Sequence, residues 1–288
     1  MASNGFISPL RYPGGKSLLY PLISDLIKEN FIVPVCFVEG FAGGAGLGLK
    51  LLINNNIQRL IINDKDIAVY SFWKEILEFP DEFCEWLESL QISIEEWKKY
   101  KYQYDLSKRI FDRRKLAHAL FYLNRTNISG IIKGGVIGGV GQKGKYLLDA
   151  RFNVRHLIDR IQIIKKYALN IEISNKDGIG FIKSFNSIEN FLYIDPPYVS
   201  KGKSLYSCFF SKEEHELLKH SLDSCKTRWV TSYDQNELIE KLYSKYRIFS
   251  LDFLRNGFHH KKKEMIIFSN NLSIKNVTKY LGECHEDF

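Results

Sequence analysis

The residues with the clearest chemical potential are Asp195-Pro196-Pro197-Tyr198, which directly follow an apolar run at 191–194. They combine a carboxylate, a stiff backbone with free carbonyls, and an aromatic ring. An exocyclic amine on a nucleobase is a poor nucleophile because its lone pair is delocalised into the ring. Asp195 and the Pro196 carbonyl can each accept one amine hydrogen, which favours a pyramidal nitrogen whose lone pair can attack. Tyr198 can stack on the face of the base.

The position of this turn after a strand supports that interpretation. Two consecutive prolines fix φ and remove two backbone donors, so a strand through 191–194 must end at Asp195. In open α/β sheets, ligands bind at the carboxyl ends of the strands. The alternative is a structural turn that only ends the strand, and the other motifs must decide between the two.

A glycine-rich turn lies between a second predicted strand and a helix. The apolar run 35–39 leads into Gly40-Phe-Ala-Gly43-Gly44-Ala-Gly46-Leu-Gly48, and a helical pattern follows at 49–53. The glycine spacing is not that of a dinucleotide fingerprint. Glycine nevertheless lets the backbone approach a nucleoside closely, so this turn is a candidate binding element.

Asp64 ends the next predicted strand, at 59–64. It lies about 20 residues after the glycine turn in the sequence. In nucleotide-binding folds, an acidic residue at this separation binds the hydroxyl pair of the ribose. The alternative role is the N-cap of a helix at 67–77. Asp66 fits that cap better, which leaves Asp64 for a ligand.

A Gly-Gly-Lys-Ser sequence precedes the first predicted helix and invites comparison with a phosphate loop. That comparison fails, because Leu10 stands where the first glycine should be and no strand comes before it. We expect instead a tight turn that places Lys16 beside an anionic group at the helix start. A surface lysine is the alternative.

The alternation of strands and helices stops between 78 and 152, where helical patterns at 81–90, 94–106 and 111–123 are followed by a basic loop with six glycines at 133–145. We interpret the loop as a hairpin or finger that meets a duplex, and the alternative is a flexible solvent loop. The predicted domains are a catalytic domain at 1–77 and 153–288 and an inserted recognition domain at 78–152.

The second half of the chain returns to alternation, with strands predicted at 169–174, 228–232, 246–251 and 265–269. Asp177 either caps a short helix or accepts from an adenine amine of a cofactor. Lys201 lies in a polar loop after the proline turn that could close over a base or touch phosphate. Ser211 and Glu214 form a capping box at the start of a helix.

Composition is consistent with a soluble globular protein that has a polyanionic partner. The 288 residues carry a net charge of +8 and are 45% apolar. The five cysteines are scattered, without metal-ligand spacing, so we expect neither disulfides nor a metal site. There is no secretory signal pattern and no apolar run of 18 residues, so we expect a cytoplasmic, membrane-free protein.

Five motifs in this order make the chain resemble the Dam-like family of adenine-specific DNA methyltransferases over nearly its whole length. They are Arg-Tyr-Pro-Gly-Gly-Lys at 11–16, the glycine turn at 37–46, Ile-Ile-Asn-Asp at 61–64, Phe-Tyr-Leu-Asn-Arg-Thr-Asn-Ile-Ser-Gly at 121–130 and Tyr-Ile-Asp-Pro-Pro-Tyr at 193–198. The resemblance implies an α/β fold, with a Rossmann-like, mostly parallel sheet of seven strands and a helical target-recognition insert. It also implies methyl transfer from S-adenosyl-L-methionine to a flipped adenine in double-stranded DNA, with S-adenosyl-L-homocysteine as the other product and no metal.

The resemblance assigns roles to residues by position. The implied catalytic residues are Asp195, Pro196, Pro197 and Tyr198. The implied cofactor-binding residues are Tyr12, Lys16, Phe37, Glu39, Gly43, Gly44, Asp64, Asp177 and Asp195. The implied DNA-binding residues are Arg125, Asn127, Ser129, Lys133, Lys143 and Lys201. A bacterial or phage-encoded monomer, in some cases paired with a restriction endonuclease, is the implied setting.

The sequence departs from the family pattern at two places. Gly40 replaces the proline usual after the glutamate, which we expect to loosen the loop. Ile128, Ser129-Gly130 and Lys133 stand where members that read GATC carry an aromatic residue, Asn-Gly and an arginine, so the resemblance does not extend to GATC specificity.

Three rival functions remain at the sequence level. Methylation of RNA and methylation of a protein glutamine amide meet the same amine problem, but their sites usually carry Asn before the two prolines. Asp195 and the long insert disfavour both of them. A DNA-binding protein with a decayed site is disfavoured by the intact Lys16, Asp64 and Asp195.

Overall fold

A computed structural model of the chain describes residues 7–12, 15–32, 35–199, 210–253 and 262–280. The predicted loop around Lys201 and most of the polar segment 256–263 lie outside the described residues. Within the described part of the chain, no helix combines the length and the hydrophobicity needed to span a bilayer.

The described residues form α-helices and β-strands that alternate over most of the chain. The helices are α1 (Tyr20–Asn30), α2 (Gly46–Ile53), α3 (Ile67–Glu78), α4 (Pro80–Ser89), α5 (Ile94–Arg109), α6 (Arg113–Thr126), α7 (Val154–Lys165), α8 (Gly178–Lys183), α9 (Lys212–Asp223) and α10 (Glu237–Leu242). The strands are β1 (Cys36–Glu39), β2 (Arg59–Asn63), β3 (Ile171–Ser174), β4 (Asn190–Ile194), β5 (Arg228–Asp234), β6 (Arg247–Phe253) and β7 (Lys262–Phe268).

The strands form a seven-stranded mixed sheet in the order β3-β2-β1-β4-β5-β7-β6. The pairs β1–β2, β1–β4 and β4–β5 are parallel, whereas β7 runs antiparallel to both β5 and β6. The chain order reverses between β1 and β4, and such a switch point is where open α/β sheets bind ligands. The predicted mostly parallel α/β sheet is confirmed.

Polar N-caps set the starts of several helices, as the sequence predicts. Asp66 accepts from the Ala68 N–H and so caps α3, which leaves Asp64 outside the helix. Ser211 and Glu214 form both bonds of a capping box at α9. The helix predicted at 111–123 begins later, at Arg113, because Asp112 accepts from the Lys115 N–H and takes the N-cap position.

The chain divides into two compact units. The first comprises the described parts of Met1–Ser17, Gly43–Lys50 and Asp64–Asn175. Its core is rich in aromatic side chains, for example Phe72, which stacks on Phe121 at a centroid distance of 5.5 Å. This unit extends well beyond the predicted insert at 78–152, and that boundary stays a prediction.

The second unit comprises the described parts of Leu18–Ala42, Leu51–Asn63 and Lys176–Phe288. It contains every strand of the described sheet except β3, which belongs to the first unit. Its core packs apolar strand residues such as Val38, Leu192 and Ile267 against side chains of α8 and α9. Burial of these side chains fixes which face of each strand points inward.

The glycine-rich segment at 131–152 is a chain of turns. Its β contact among the described residues is an isolated antiparallel bridge between Asn127 and Val136. Gln142 braces the segment, because its Nε2 donates to the Ile137 and Gly139 carbonyls and its Oε1 accepts from the Leu148 N–H. The segment is therefore a finger of turns braced by a side chain and not a regular β-hairpin, and its contact with a duplex stays a prediction.

Candidate active site

The carboxylate of Asp195 lies at the carboxyl end of β4, beside β5. Ile194 pairs with Thr231 in the parallel register, so Ser232 is the next residue of β5 alongside Asp195. The Ser232 hydroxyl donates to Asp195 Oδ1 at 2.9 Å. The prolines therefore end the strand as predicted, and the neighbouring strand holds the carboxylate in one orientation.

Tyr198 is anchored by the antiparallel strand β7. Its hydroxyl donates to Glu264 Oε1 at 3.1 Å, and the two residues are 3% and 4% exposed. The ring is thus almost wholly covered. Stacking of a base on Tyr198 requires the residues that cover it to shift, whereas its bond to Glu264 fixes the end of the proline turn.

Two predicted cofactor residues belong to β1 and lie deep in the second unit. Phe37 is fully buried and stacks on Tyr193 at a centroid distance of 6.2 Å, so it packs the sheet. Glu39 is the last residue of β1 and is 4% exposed. Contacts of these two residues with a cofactor stay predictions.

Gly40 follows β1 and is tied down at both of its backbone groups. Its N–H donates to the Tyr193 carbonyl at 3.3 Å, and its carbonyl accepts from Asn63 Nδ2 at 3.1 Å. A proline could not make the first bond. Glycine at this position is therefore compatible with a well-bonded turn, and the expected loosening stays untested.

Asp177 caps α8 by accepting from the Gly180 N–H at 3.2 Å. This is one of the two roles that the sequence left open. Asp177 is exposed at the surface of the second unit. A contact with a cofactor amine stays a prediction.

In the first unit, the glycine turn closes on Asp64. The Gly43 N–H donates to Asp64 Oδ2 and the Asp66 N–H donates to Oδ1, each at 2.9 Å. Gly43 has a φ of +46°, and a Cβ there would lie 2.6 Å from the Tyr12 ring. Trp73 Nε1 donates to the Gly43 carbonyl at 2.9 Å. Only glycine therefore fits between the Tyr12 ring and the loop.

The charge state of Asp64 is unusual for an aspartate. Burial raises its pKa to about 7, with a further increase from the nearby Asp66 carboxylate, against the lowering effect of the two backbone hydrogen bonds. The group therefore keeps its proton to a much higher pH than an ordinary aspartate does. A hydrogen-bond donor such as a ribose hydroxyl would draw it towards the charged form.

Lys16 begins the 3₁₀ turn that precedes α1 and is 7% exposed. The alternative of an ordinary surface lysine is therefore wrong. A buried ammonium needs compensating partners, which fits the expectation that Lys16 serves an anionic group.

The predicted DNA-binding residues fall into two groups. Ser129, Lys133 and Lys143 have exposed side chains, as a duplex contact requires. Arg125 and Asn127 are 8% and 0% exposed. The predicted contact of Lys201 lies outside the described residues.

Arg125 and Asn127 hold the recognition segment together from inside. Arg125 donates to the carbonyls of Pro9 and Arg151. Asn127 donates to the Ile131 and Ile132 carbonyls and accepts from Trp97 Nε1 at 2.7 Å. Direct contact of either side chain with DNA would require these bonds to break, so the structure gives both a positioning role within the unit.

Two positioning residues escaped the sequence analysis, and a third, Asn124, entered it only as part of the motif at 121–130. Ser232 and Glu264 support the proline turn, and Asn124 exchanges two 2.7 Å hydrogen bonds with the Arg11 backbone while donating to the Gly130 carbonyl. The signal that they share is a polar side chain inside an otherwise buried strand or helix. Their partners are far away in sequence, so no local motif reveals them.

The sheet order, with a carboxylate turn at the switch point, defines the class of α/β methyltransferases. The family model of the D12 class N6 adenine-specific DNA methyltransferases matches residues 12–256. This match spans most of the chain, so the chain belongs to that family and is by family an adenine-specific DNA methyltransferase.

One curated relative is the type II methyltransferase M.CviBI of Paramecium bursaria Chlorella virus NC1A. It is 25% identical over 257 residues, which cover 82% of this chain and 86% of the relative. Solved structures are more distant. The rRNA methyltransferase aviRa of Streptomyces viridochromogenes has 12% identity and a TM-score of 0.39, covering 90% of this chain and 87% of that chain.

A further solved structure is M. capricolum TrmK in complex with S-adenosyl-homocysteine. It has 10% identity and a TM-score of 0.37, covering 87% of this chain and 69% of that chain.

Proposed function

We propose that the chain transfers a methyl group from S-adenosyl-L-methionine to the exocyclic amine of an adenine at a specific site in duplex DNA. The observation that carries the proposal is the Asp195 carboxylate, held by the Ser232 hydroxyl at the carboxyl end of β4. Membership of the adenine-specific family supplies the substrate class.

The residues around Asp64 fit the nucleoside part of this cofactor. The carboxylate accepts two backbone N–H groups, and a carboxylate offers about four acceptor sites, so acceptor capacity remains for a ribose hydroxyl pair. The Tyr12 ring packs against Gly43, whose N–H binds Asp64, so an aromatic side chain lies next to the turn that holds this carboxylate. Tyr12 and Lys16 complete the proposed cofactor residues of the first unit.

When bound, the cofactor supplies an electrophilic methyl carbon on a positively charged sulfur. Asp195 and the Pro196 carbonyl each accept one hydrogen of the adenine amine, which localises the nitrogen lone pair for attack. Methyl transfer would form the new N–C bond at the expense of the C–S bond, whose electron pair would stay on sulfur. The methylated nitrogen then gives up one proton, for which Asp195 is the proposed first acceptor.

The target amine is base-paired inside a duplex, so the adenine must rotate out of the stack at a cost of a few kcal/mol. We propose that the exposed Ser129, Lys133 and Lys143 contact the DNA while Arg125 and Asn127 position their segment. The net charge of +8 favours association with a polyanion.

The named relative is a type II methyltransferase. We propose a restriction-modification setting for this chain, in which a monomer protects host or viral DNA in the cytoplasm. Sequencing of DNA from cells that express the chain, with a method that detects methylated adenine, identifies the recognition sequence.

The test of the catalytic assignment is the Asp195→Ala variant. We expect the single-turnover rate of tritiated methyl transfer to duplex DNA to fall by at least about 10²-fold, because one amine acceptor is lost. Affinity for duplex DNA should change by less than about threefold, since a catalytic acceptor adds little to ground-state binding. Full activity in this variant would refute the role.

The same assay separates the rival substrates. Equal amounts of duplex DNA, structured RNA and a glutamine-containing protein are offered to the wild-type chain in parallel. Label in DNA alone supports the proposal, label in RNA or protein overturns it, and no label with intact DNA binding indicates a decayed site.

A further inference from the structure

Three side chains form a buried line of hydrogen bonds behind the proline turn. The Tyr193 hydroxyl lies 2.8 Å from Ser232 Oγ, and Ser232 Oγ lies 2.9 Å from Asp195 Oδ1. Tyr193 is 3% exposed and Ser232 is 0% exposed. Both hydroxyls therefore lie inside the second unit, out of reach of a substrate.

Strand geometry explains why the three groups meet. Tyr193 and Asp195 are two residues apart, so their side chains leave the same face of the chain. Tyr193 pairs with Val230 and Ile194 pairs with Thr231, which brings Ser232 alongside Asp195. Residues that lie side by side on parallel strands point their side chains to the same face of the sheet. The β4–β5 register therefore places the side chains of Tyr193, Ser232 and Asp195 on one face.

The directions of the two bonds follow from donor counting. An ionised carboxylate only accepts, so Ser232 must donate to Asp195. A serine hydroxyl has one proton, so the Tyr193 hydroxyl must donate to Ser232. Burial raises the pKa of Tyr193 well above its ordinary value, with the Asp195 charge as a further cause, so the phenol keeps its proton.

We propose that Ser232 is a positioning residue for the methyl transfer and that Tyr193 fixes the direction of its hydroxyl. The inference rests on the proposed function of Asp195. The Ser232 hydroxyl donates to Asp195 Oδ1 and so sets the plane of the carboxylate. That plane determines how the carboxylate faces the adenine amine from which it accepts a hydrogen bond. Its hydrogen bond also favours the charged form of Asp195, which is the form that can accept an amine hydrogen.

Ser232→Ala removes the donor and one oxygen atom from a buried site. We expect the single-turnover rate to fall about 10- to 100-fold, while KM for DNA and for cofactor changes by less than about threefold. The acidic limb of the pH–rate profile should move to higher pH, because the lost hydrogen bond favoured the charged carboxylate. Tyr193→Phe should cause a smaller change in the same direction, because the Ser232 hydroxyl remains but loses its fixed orientation.

Two further variants serve as a conservative substitution and as a control. Ser232→Thr retains the hydroxyl and should recover most of the rate with the wild-type pH profile. Ser221→Ala removes a buried hydroxyl that bonds to the Leu217 carbonyl within α9, and it should change neither the rate nor the profile. Circular dichroism and thermal melting of every variant report whether the fold is retained.

The outcomes distinguish this inference from the proposed function. A wild-type rate in Ser232→Ala, or a lower rate with an unmoved acidic limb, overturns the positioning role while Asp195→Ala remains inactive. Activity in Asp195→Ala overturns the proposed function itself. If Ser232→Ala does not fold, Tyr193→Phe gives the same decision from the other end of the line.

Discussion

At the scale of single residues, two aspartates that follow parallel strands have opposite surroundings. Asp195 accepts from a side-chain hydroxyl, whereas Asp64 accepts from two backbone N–H groups near the Asp66 carboxylate. Burial raises the pKa of Asp64 to about 7. The sequence singled out both residues by their strand-end positions, but it could not predict this difference, which depends on the tertiary neighbours.

The raised pKa of Asp64 predicts a pH-dependent affinity for the cofactor. Ribose hydroxyls donate to the charged carboxylate, so the affinity for S-adenosyl-homocysteine should rise several-fold between pH 6 and pH 8 and then level off. Calorimetric titration at pH 6, 7 and 8 measures this change. Asp64→Asn should bind more weakly at pH 8 and show a flat profile, whereas an equally steep profile in that variant would contradict the assignment.

The sign for folding stability is the reverse. The unfolded Asp64 loses its proton near its ordinary pKa of 3.8, whereas the folded group keeps it to about pH 7. The unfolded state therefore binds fewer protons between these values, and the contribution of Asp64 to stability decreases as pH rises through that window. The burial of this carboxylate, which we propose binds the cofactor, thus costs the fold some stability above its ordinary pKa.

At the scale of elements, a buried carboxylate joins α3 to α6. Glu75 is 1% exposed, and its Oε1 lies 2.6 Å from Arg114 Nε. Arg113 is farther away, at 3.9 Å from Oε2, and also binds Glu78 at 2.7 Å. A buried charge needs such partners, so this contact fixes how the two helices pack.

We predict that Arg114→Met destabilises the protein by about 1–3 kcal/mol, because it leaves the Glu75 carboxylate buried with a weaker partner. Urea denaturation measures the change. Lys115→Met is the matched control, since Lys115 forms an exposed pair with Asp112, and it should cost less than about 1 kcal/mol. Adding Glu75→Gln to Arg114→Met should recover part of the lost stability. Equal losses of stability in Arg114→Met and Lys115→Met would contradict the prediction.

Element boundaries were predictable where a local signal sets them. Three helices begin directly after a polar N-cap residue, as expected where a polar residue precedes a periodic apolar pattern. The caps are Asp66, Ser211 and Asn153. The loop at 131–152 was not predictable, because its bracing depends on Gln142 reaching carbonyls whose positions arise only on folding. Glycine-rich sequence specifies few backbone angles by itself.

At the scale of the whole molecule, the net charge of +8 and the exposed lysines predict salt-sensitive DNA binding. Lys133→Gln and Lys143→Gln should each lower the slope of log affinity against log salt concentration by about 0.9. Lys219→Gln is the control, because Lys219 already pairs with Asp223 at 2.7 Å. Fluorescence anisotropy over a salt series measures the slopes, and unchanged slopes in the first two variants would remove them from the DNA contact.

The sequence predicted the α/β class and the residues at the ends of β1, β2 and β4, because alternation and strand-end polar residues are local patterns. It did not predict that β7 inserts between β5 and β6, or that Glu264 on β7 reaches Tyr198. Strand order is decided by which apolar faces pack together, and that information is distributed over the chain.

The line from Tyr193 through Ser232 to Asp195 has a consequence for protein engineering. Copying Asp195-Pro196-Pro197-Tyr198 onto another scaffold would import the acceptors but leave behind the serine on the adjacent strand. The transplanted carboxylate would rotate freely about its side-chain bonds. A functional graft would need two neighbouring strands in their native register, together with the tyrosine two positions before the aspartate.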